Sequence, residues 1–350
     1  GHEAIQVAAG LSLRAGHDWV VPYYRDRALC LTVGVTPAEM LLGSVGSADD
    51  PSSGGRQMPS HWSDRRLHIV SPSSATGTQC LHGVGCAEGG VLDRAIAAKG
   101  GREPSAHGDE VVLVSLGDGA TSEGEFWESL NSACTRRLPV VFLIQDNGYA
   151  ISVPVDAQTP GGDISKLVES FPALRLARAD GTDLSDSWSA MQDAVGYVRA
   201  RRGPALVHAR TVRLYSHSLS DDDRAYRPQA ERDEDARRDP VARLRSQYLA
   251  EGIATESELT TLEAEIDAEI NEAVDLALAA PPPLAETVAR YVYSPDVDPT
   301  SEAFDVAPQP SGALQTMVAS INRTLRNEMT RNSRIVIFGE DVADASHAAS

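Results

Sequence analysis

Two apolar runs in this chain stop abruptly at small and polar residues. "VVLVSL" (111–116) ends in Gly117-Asp118-Gly119, and "VVFLIQ" (140–145) ends in Asp146-Asn147-Gly148. If the runs are neighbouring parallel strands, Asp118 and Asn147, 29 residues apart, both fall at strand carboxyl ends. Ligands of open α/β sheets bind there. A carboxylate, a carboxamide oxygen and a nearby backbone carbonyl make an all-oxygen set, suited to Mg²⁺ or Ca²⁺ that is also held by phosphate oxygens. The flanking glycines let a diphosphate approach the backbone, and a helix over 121–137 directs its N-terminal dipole at the same place. Taken singly, Asp118 reads as a turn or cap residue and Asn147 as a turn residue; the matched pair favours the ligand site.

The elements that would position this pair alternate. Helical patterns over 3–14, 77–99, 121–137 and 184–202 are interleaved with strands at 111–116, 140–145, 172–180 and 204–214. That alternation predicts a parallel sheet with helices on both faces. "DWVVPYYRDRALCL" (18–31) is a short extended run entering a helix. In "TPAEMLLGSV", Thr36 is an N-cap with Pro37 at the first helical position. Residues 44–62 form a polar loop, and 217–239 are charged and turn-rich, an exposed or conditionally ordered loop. Two helices follow, at about 240–251 and 255–280. Residues 281–312 read as a linker, and 313–342 as helix, turn and strand. Both ends look like cuts through a longer protein.

The 350 residues carry a net charge of −19 and are 42% apolar, enough for a large core. The acidic balance argues against nucleic acid and anionic membranes as partners. No apolar run approaches the length of a membrane span, and a soluble cytosolic protein is expected. The four cysteines, Cys30, Cys80, Cys86 and Cys134, show no zinc spacing and read as reduced, buried thiols.

"GDG" (117–119) followed by "DNGYAIS" (146–152) resembles the thiamine diphosphate motif. "YYRD" (23–26), "GGRQMPSHWS" (54–63), "SPSSATGTQCLHGVG" (71–85), "GDGATSEGEFWESLN" (117–131) and "RLYSHSLSDDDRAYR" (213–227) narrow the likeness. Over residues 1 to about 290 the chain resembles the α part of the decarboxylating component of 2-oxo acid dehydrogenases, of the pyruvate and branched-chain type. Residues 213–227 most resemble the branched-chain type. The tail from 313 resembles the start of the family's β subunit, so an α–β fusion is expected. The resemblance implies a thiamine diphosphate-binding α/β fold, with a diphosphate-binding domain over 1–280, a linker over 281–312 and a truncated β-type, pyrimidine-binding start over 313–350.

By the same resemblance, Asp118, Asn147 and the Tyr149 carbonyl ligate Mg²⁺. Tyr24 and Arg25 hold the diphosphate, a forked guanidinium and a phenol being suited to phosphate oxygens. Ser74 and Thr76 contact the cofactor's middle, and Gly117, Gly119, Ala120 and Ala150 surround it. Ser73, Thr78 and Gln79 match a K⁺ loop of some members, although such hydroxyls also serve as helix caps. Arg213 and His217 match the active-site loop, with His217 near substrate and the reacting carbon. Glu125 and Glu128 join Glu340 in an acidic channel between two cofactors, or simply form a solvated helix face. His61 lies toward substrate, and His82 packs. Gln145-Asp146 departs from the family's residues before Asn147 and places an extra carboxylate beside the diphosphate.

The implied reaction is oxidative decarboxylation of a 2-oxo acid, branched-chain first and pyruvate second, with acyl transfer to a lipoyl transacylase. The implied partners are the β-type part, which carries the activating glutamate, and the transacylase core, in a homodimer of fused chains or an α2β2 assembly. The compartment is the cytoplasm of a bacterium, or the mitochondrial matrix of a eukaryote. An acetoin-cleaving enzyme shares the scaffold, and a non-catalytic scaffold subunit would keep the fold; a phosphate switch lacks its P-loop lysine here.

Overall fold

The structure is a computed structural model that describes residues 1–100, 102–294, 296–339 and 342. Its centre is a five-stranded parallel sheet in the order Trp19–Val21, Val112–Gly117, Val140–Asp146, Ala205–Arg210, Arg175–Asp180. Alternate residues of a strand point to opposite faces, and here each face carries its own core. Leu113, Val141, Leu143, Val207 and Ala209 pack with the helices Glu3–Ser12, Arg27–Val33 and Leu184–Arg199. Val112, Val114, Leu116, Phe142, Ile144 and Leu206 pack with Thr78–Gly100 and Gly124–Arg136. Both faces being covered explains why the strands read as continuous apolar runs. On Thr78–Gly100, a Cβ at Gly83 would lie 2.1 Å from Val114 Cγ2, so this helix–sheet approach needs glycine.

Local signals placed several boundaries. Thr36 and Glu39 form a capping box with Pro37 behind the cap, and Thr255 and Glu258 form a second one at the helix Glu256–Ala279. Other expectations need correction. The helix expected over 121–137 begins as a 3-10 turn, Asp118–Ser122, and becomes α-helical only at Gly124. Residues 217–239 contain a 3-10 turn, Asp223–Ala225, and a helix, Gln229–Arg237, because a buried arginine organises their carboxylates. The strand expected after Asn332 is not formed among the described residues. His82 is exposed, and Cys86 is only half-buried.

The chain divides into two compact units. One comprises Gly1–Gly89 and His107–Ala285; the other comprises the described residues of Gly90–Ala106 and Glu286–Ser350. The second contains the helix Met317–Arg331, capped by Thr316, whose Met317, Val318, Ile321, Leu325 and Met329 are exposed. Among the described residues no helix is long and apolar enough to cross a membrane.

Candidate functional site

Register brings the strand ends together. Gly117 pairs with Gln145 across the two central strands, so Asp118 comes level with Asp146, and Asn147 lies one residue beyond. Asp118 is almost fully buried and its Oδ2 accepts from Gln158 Nε2 at 2.8 Å. Burial, and then the neighbouring Asp146 charge, push its carboxyl up to about 6. Asn147 makes an Asx turn, its Oδ1 accepting from the Tyr149 amide at 3.3 Å. Gly148 takes φ +81°, a conformation that favours glycine. The chain then forms a short hairpin, Tyr149–Ala150 with Val153–Pro154. Gly119 packs closely here, since a Cβ there would lie 2.7 Å from the Ala150 Cβ.

Strand parity also resolves the Gln145-Asp146 departure. Gln145 faces one side of the sheet, among His2, Gln6, Asp26 and Ser115. Asp146 faces the other side, where His208 Nε2 lies 2.8 Å away and Arg210 3.8 Å away. The extra carboxylate is therefore held by His208 and Arg210 instead of standing bare at the ligand site, although its field still reaches Asp118.

A cavity of about 570 Å³ opens over the strand ends. Of the expected cofactor residues, Tyr24, Arg25, Ser74, Thr76, Gly117, Asp118, Gly119, Ala120, Tyr149, Ala150 and His217 all line it. Asn147 is buried behind that wall, its Nδ2 3.4 Å from His2 Nε2. Arg25 donates to the Tyr24 hydroxyl at 3.1 Å and to His217 Nδ1 at 3.0 Å. Guanidinium only donates, so Nδ1 accepts and the His217 proton sits on Nε2. Burial, and then Arg25 and Arg213, lower the His217 pKa, keeping the ring neutral. His61 joins the same wall, with Nδ1 3.0 Å from the Pro59 carbonyl and Nε2 2.8 Å from Ser74 Oγ. Ser73 and Gln79 also line the cavity, while Thr78 heads a helix; Ser73 Oγ accepts from the Ala75 amide at 3.2 Å, as a turn-capping hydroxyl does.

Three more of the expected residues do not line this cavity. Arg213 lies outside this cavity. It donates to the Ile151 carbonyl at 2.8 Å and to the Tyr226 hydroxyl at 2.6 Å, and its guanidinium sits over the Tyr149 and Tyr226 rings. It fastens the His217 loop to the hairpin. Glu125 and Glu128 do not line the cavity either, whereas Glu123 does. Glu340 lies outside the described residues.

The residue that sequence reading missed is Arg227, 1% exposed at its side chain. It pairs with Asp223, Glu231 and Asp235 and donates to the Arg213 carbonyl at 2.7 Å. Those carboxylates stand at −4, +4 and +8 from Arg227, a helical spacing that was the missed signal. Asp221 Oδ2 accepts from the His217 amide at 2.8 Å and from the Tyr226 hydroxyl at 2.6 Å, and Tyr149 donates to Glu231 at 3.1 Å.

The chemistry on offer is that of a parallel α/β protein with oxygen donors and an Arg–Tyr–His clamp around one strand-end cavity. Residues 1–286 match the dehydrogenase E1 component family, and the chain belongs to it. It is 34% identical over 294 residues to the 2-oxoisovalerate dehydrogenase subunit alpha of Bacillus subtilis, covering 84% of this chain and 85% of that one. It is 35% identical to the 3-methyl-2-oxobutanoate dehydrogenase subunit alpha of Mycobacterium tuberculosis, over 78% of this chain and 69% of the other. Against the pyruvate dehydrogenase E1 component subunit alpha of Mycoplasma genitalium it is 32% identical, over 84% and 75%. A solved thiamin diphosphate-dependent enzyme from Mycobacterium smegmatis aligns over 60% of this chain and 32% of its own, at 17% identity and a TM-score of 0.39, too loosely to carry an argument.

Proposed function

We propose that this chain is the α-type part of the decarboxylating component of a 2-oxo acid dehydrogenase complex, acting with thiamine diphosphate and Mg²⁺ on a branched-chain 2-oxo acid first and pyruvate second. The observation that carries this reading is the meeting of Asp118, Tyr24, Arg25, Tyr149 and His217 around one strand-end cavity. The family and the activities of the relatives support it.

The residues present fit the cofactor. A buried carboxylate pushed up to about 6 gains most from a divalent cation beside it. Asp118, Asn147 and the Tyr149 carbonyl would supply hard oxygen ligands. Arg25 and Tyr24 would hold diphosphate oxygens, with Ser74 and Thr76 along the middle and Ala120 and Ala150 as walls. Ser73, Thr78 and Gln79 would hold K⁺. When bound, thiamine diphosphate supplies the electron sink that lets a 2-oxo acid lose CO₂. His217, neutral and protonated on Nε2, would donate toward the reacting end of the cavity. Arg213 positions that loop, and the acidic channel assigns Glu125 and Glu128 a longer-range role.

Residues 1–280 form the diphosphate-binding domain in this reading, 281–312 the linker and 313–350 the start of a fused β-type part, in a homodimer or an α2β2 assembly. The activating acid comes from the β-type part, and the acyl group passes to a lipoyl transacylase. The compartment is the bacterial cytoplasm or the mitochondrial matrix. The test is artificial-acceptor reduction by the full-length protein with a panel of 2-oxo acids, with and without thiamine diphosphate and Mg²⁺. Cofactor-dependent turnover fastest with 3-methyl-2-oxobutanoate is expected; preference for pyruvate would change the substrate alone, and no turnover despite cofactor binding would overturn the reading in favour of acetoin cleavage or a scaffold.

A further inference from the structure

We propose that Gln145 is the positioning residue that holds the two halves of the cavity together, an inference that rests on the cofactor reading above. Gln145 touches no part of the cavity and is fully buried at the end of a central strand. Its carboxamide is fully used. The oxygen accepts from Gln6 Nε2 at 2.9 Å and lies 2.9 Å from His2 Nδ1. The amide donates to Asp26 Oδ1 at 2.7 Å and to Ser115 Oγ at 2.8 Å.

Three of the four partners lead on to the site. Asp26 Oδ2 accepts from the Tyr23 amide at 2.9 Å, and Gln6 donates to the Arg25 carbonyl at 3.0 Å. Those two contacts set the backbone on either side of Tyr24. On the other side, an oxygen acceptor at His2 Nδ1 puts the His2 proton there, leaving Nε2 to accept from Asn147 Nδ2. That turns the Asn147 amide nitrogen inward and its oxygen the opposite way. One carboxamide thus fixes both the backbone that carries the anion clamp and the orientation of a metal-ligand side chain. Supports of this kind are worth tens of fold in ligand affinity without touching the ligand.

The arrangement can be inverted chemically. Gln145→Glu sets a carboxylate against Asp26. Adding Asp26→Asn restores a donor facing an acceptor: the Asn amide donates to Glu, its oxygen accepts from the Tyr23 amide, and Ser115 donates in its turn. The experiment is calorimetric titration of thiamine diphosphate with Mg²⁺ into the full-length protein with its β-type partner, alongside melting curves. Gln145→Glu is expected to weaken cofactor binding roughly ten- to hundredfold, with the double variant returning to within about threefold of wild type. Ser115→Ala, which removes one partner of four, is expected to weaken it about threefold. A purely structural role would lower the melting temperature and leave the affinity of folded protein unchanged, and unchanged affinity in Gln145→Glu and Ser115→Ala overturns the inference. Absence of cofactor binding by wild type would overturn the parent reading and this inference with it.

Discussion

The strand-end half of the cavity and the loop half are built by different physics. Asp118 and Asn147 sit at the ends of strands whose apolar residues fill two cores, so their placement follows from sheet register. His217 sits on a surface segment with little apolar burial. It is held by polar pins: Arg213 on the hairpin, Asp221 on the His217 amide, and Arg227 among three carboxylates. Stability of the first half is tied to global folding, whereas the second opens locally. In the proposed function, the difference would suit an end that anchors the cofactor and stays preformed and an end that admits substrate.

Three perturbations test this comparison. Phe126→Ala empties a fully buried aromatic position on the core face that carries Phe142 and Ile144. It should cost about 3–5 kcal/mol, read as a lower midpoint in denaturant melts, and both halves should fail together. Arg227→Leu leaves Asp223, Glu231 and Asp235 facing one another. It should cost about 1.5–3 kcal/mol, confined to the loop: protease cleavage within 213–237 rises while the global melt stays near wild type. A global melt that falls in step with the cleavage would erase the distinction between the halves.

The smallest effect is a pH slope. Burial pushes the fully buried Asp26 carboxyl up to about 7, against the pull of its hydrogen bonds from Tyr23, Ser115 and Gln145 and the charge of Arg25. A carboxyl raised above its unfolded value contributes stability that is complete below about 4 and lost as pH rises toward about 7. The loss is at most about 1.4 kcal/mol per pH unit. Denaturant melts at pH 5, 6 and 7 should show this component in wild type and not in Asp26→Asn. Equal slopes in the two proteins would remove Asp26 as its source.

How much was legible in the sequence follows the same division. The strand-end positions of Asp118 and Asn147 and the N-cap at Thr36 were readable because strand ends and helix caps are local signals. The helix start was placed one turn early, since "GDGATS" looks like a helix N-terminus until the 3-10 turn is seen. Arg227 was hidden by composition: a dense run of charges reads as solvated unless the helical spacing of its acids is counted. Gln145 could not be read at all. Its partners His2, Gln6, Asp26 and Ser115 lie between 30 and 143 residues away in sequence, and only the fold brings them to one carboxamide.

The sheet is also a partition. Gln145 and Asp146 are consecutive, yet one serves a circuit of neutral and acidic groups on one face and the other closes onto His208 and Arg210 across the strand. Two buried polar circuits with opposite needs run a single peptide apart without mixing. A one-residue deletion before Gln145 would shift the pair by one place, setting the Asp146 carboxylate against Asp26 and turning the Gln145 carboxamide to the face of His208. The length of this segment is therefore as tightly constrained as its side chains.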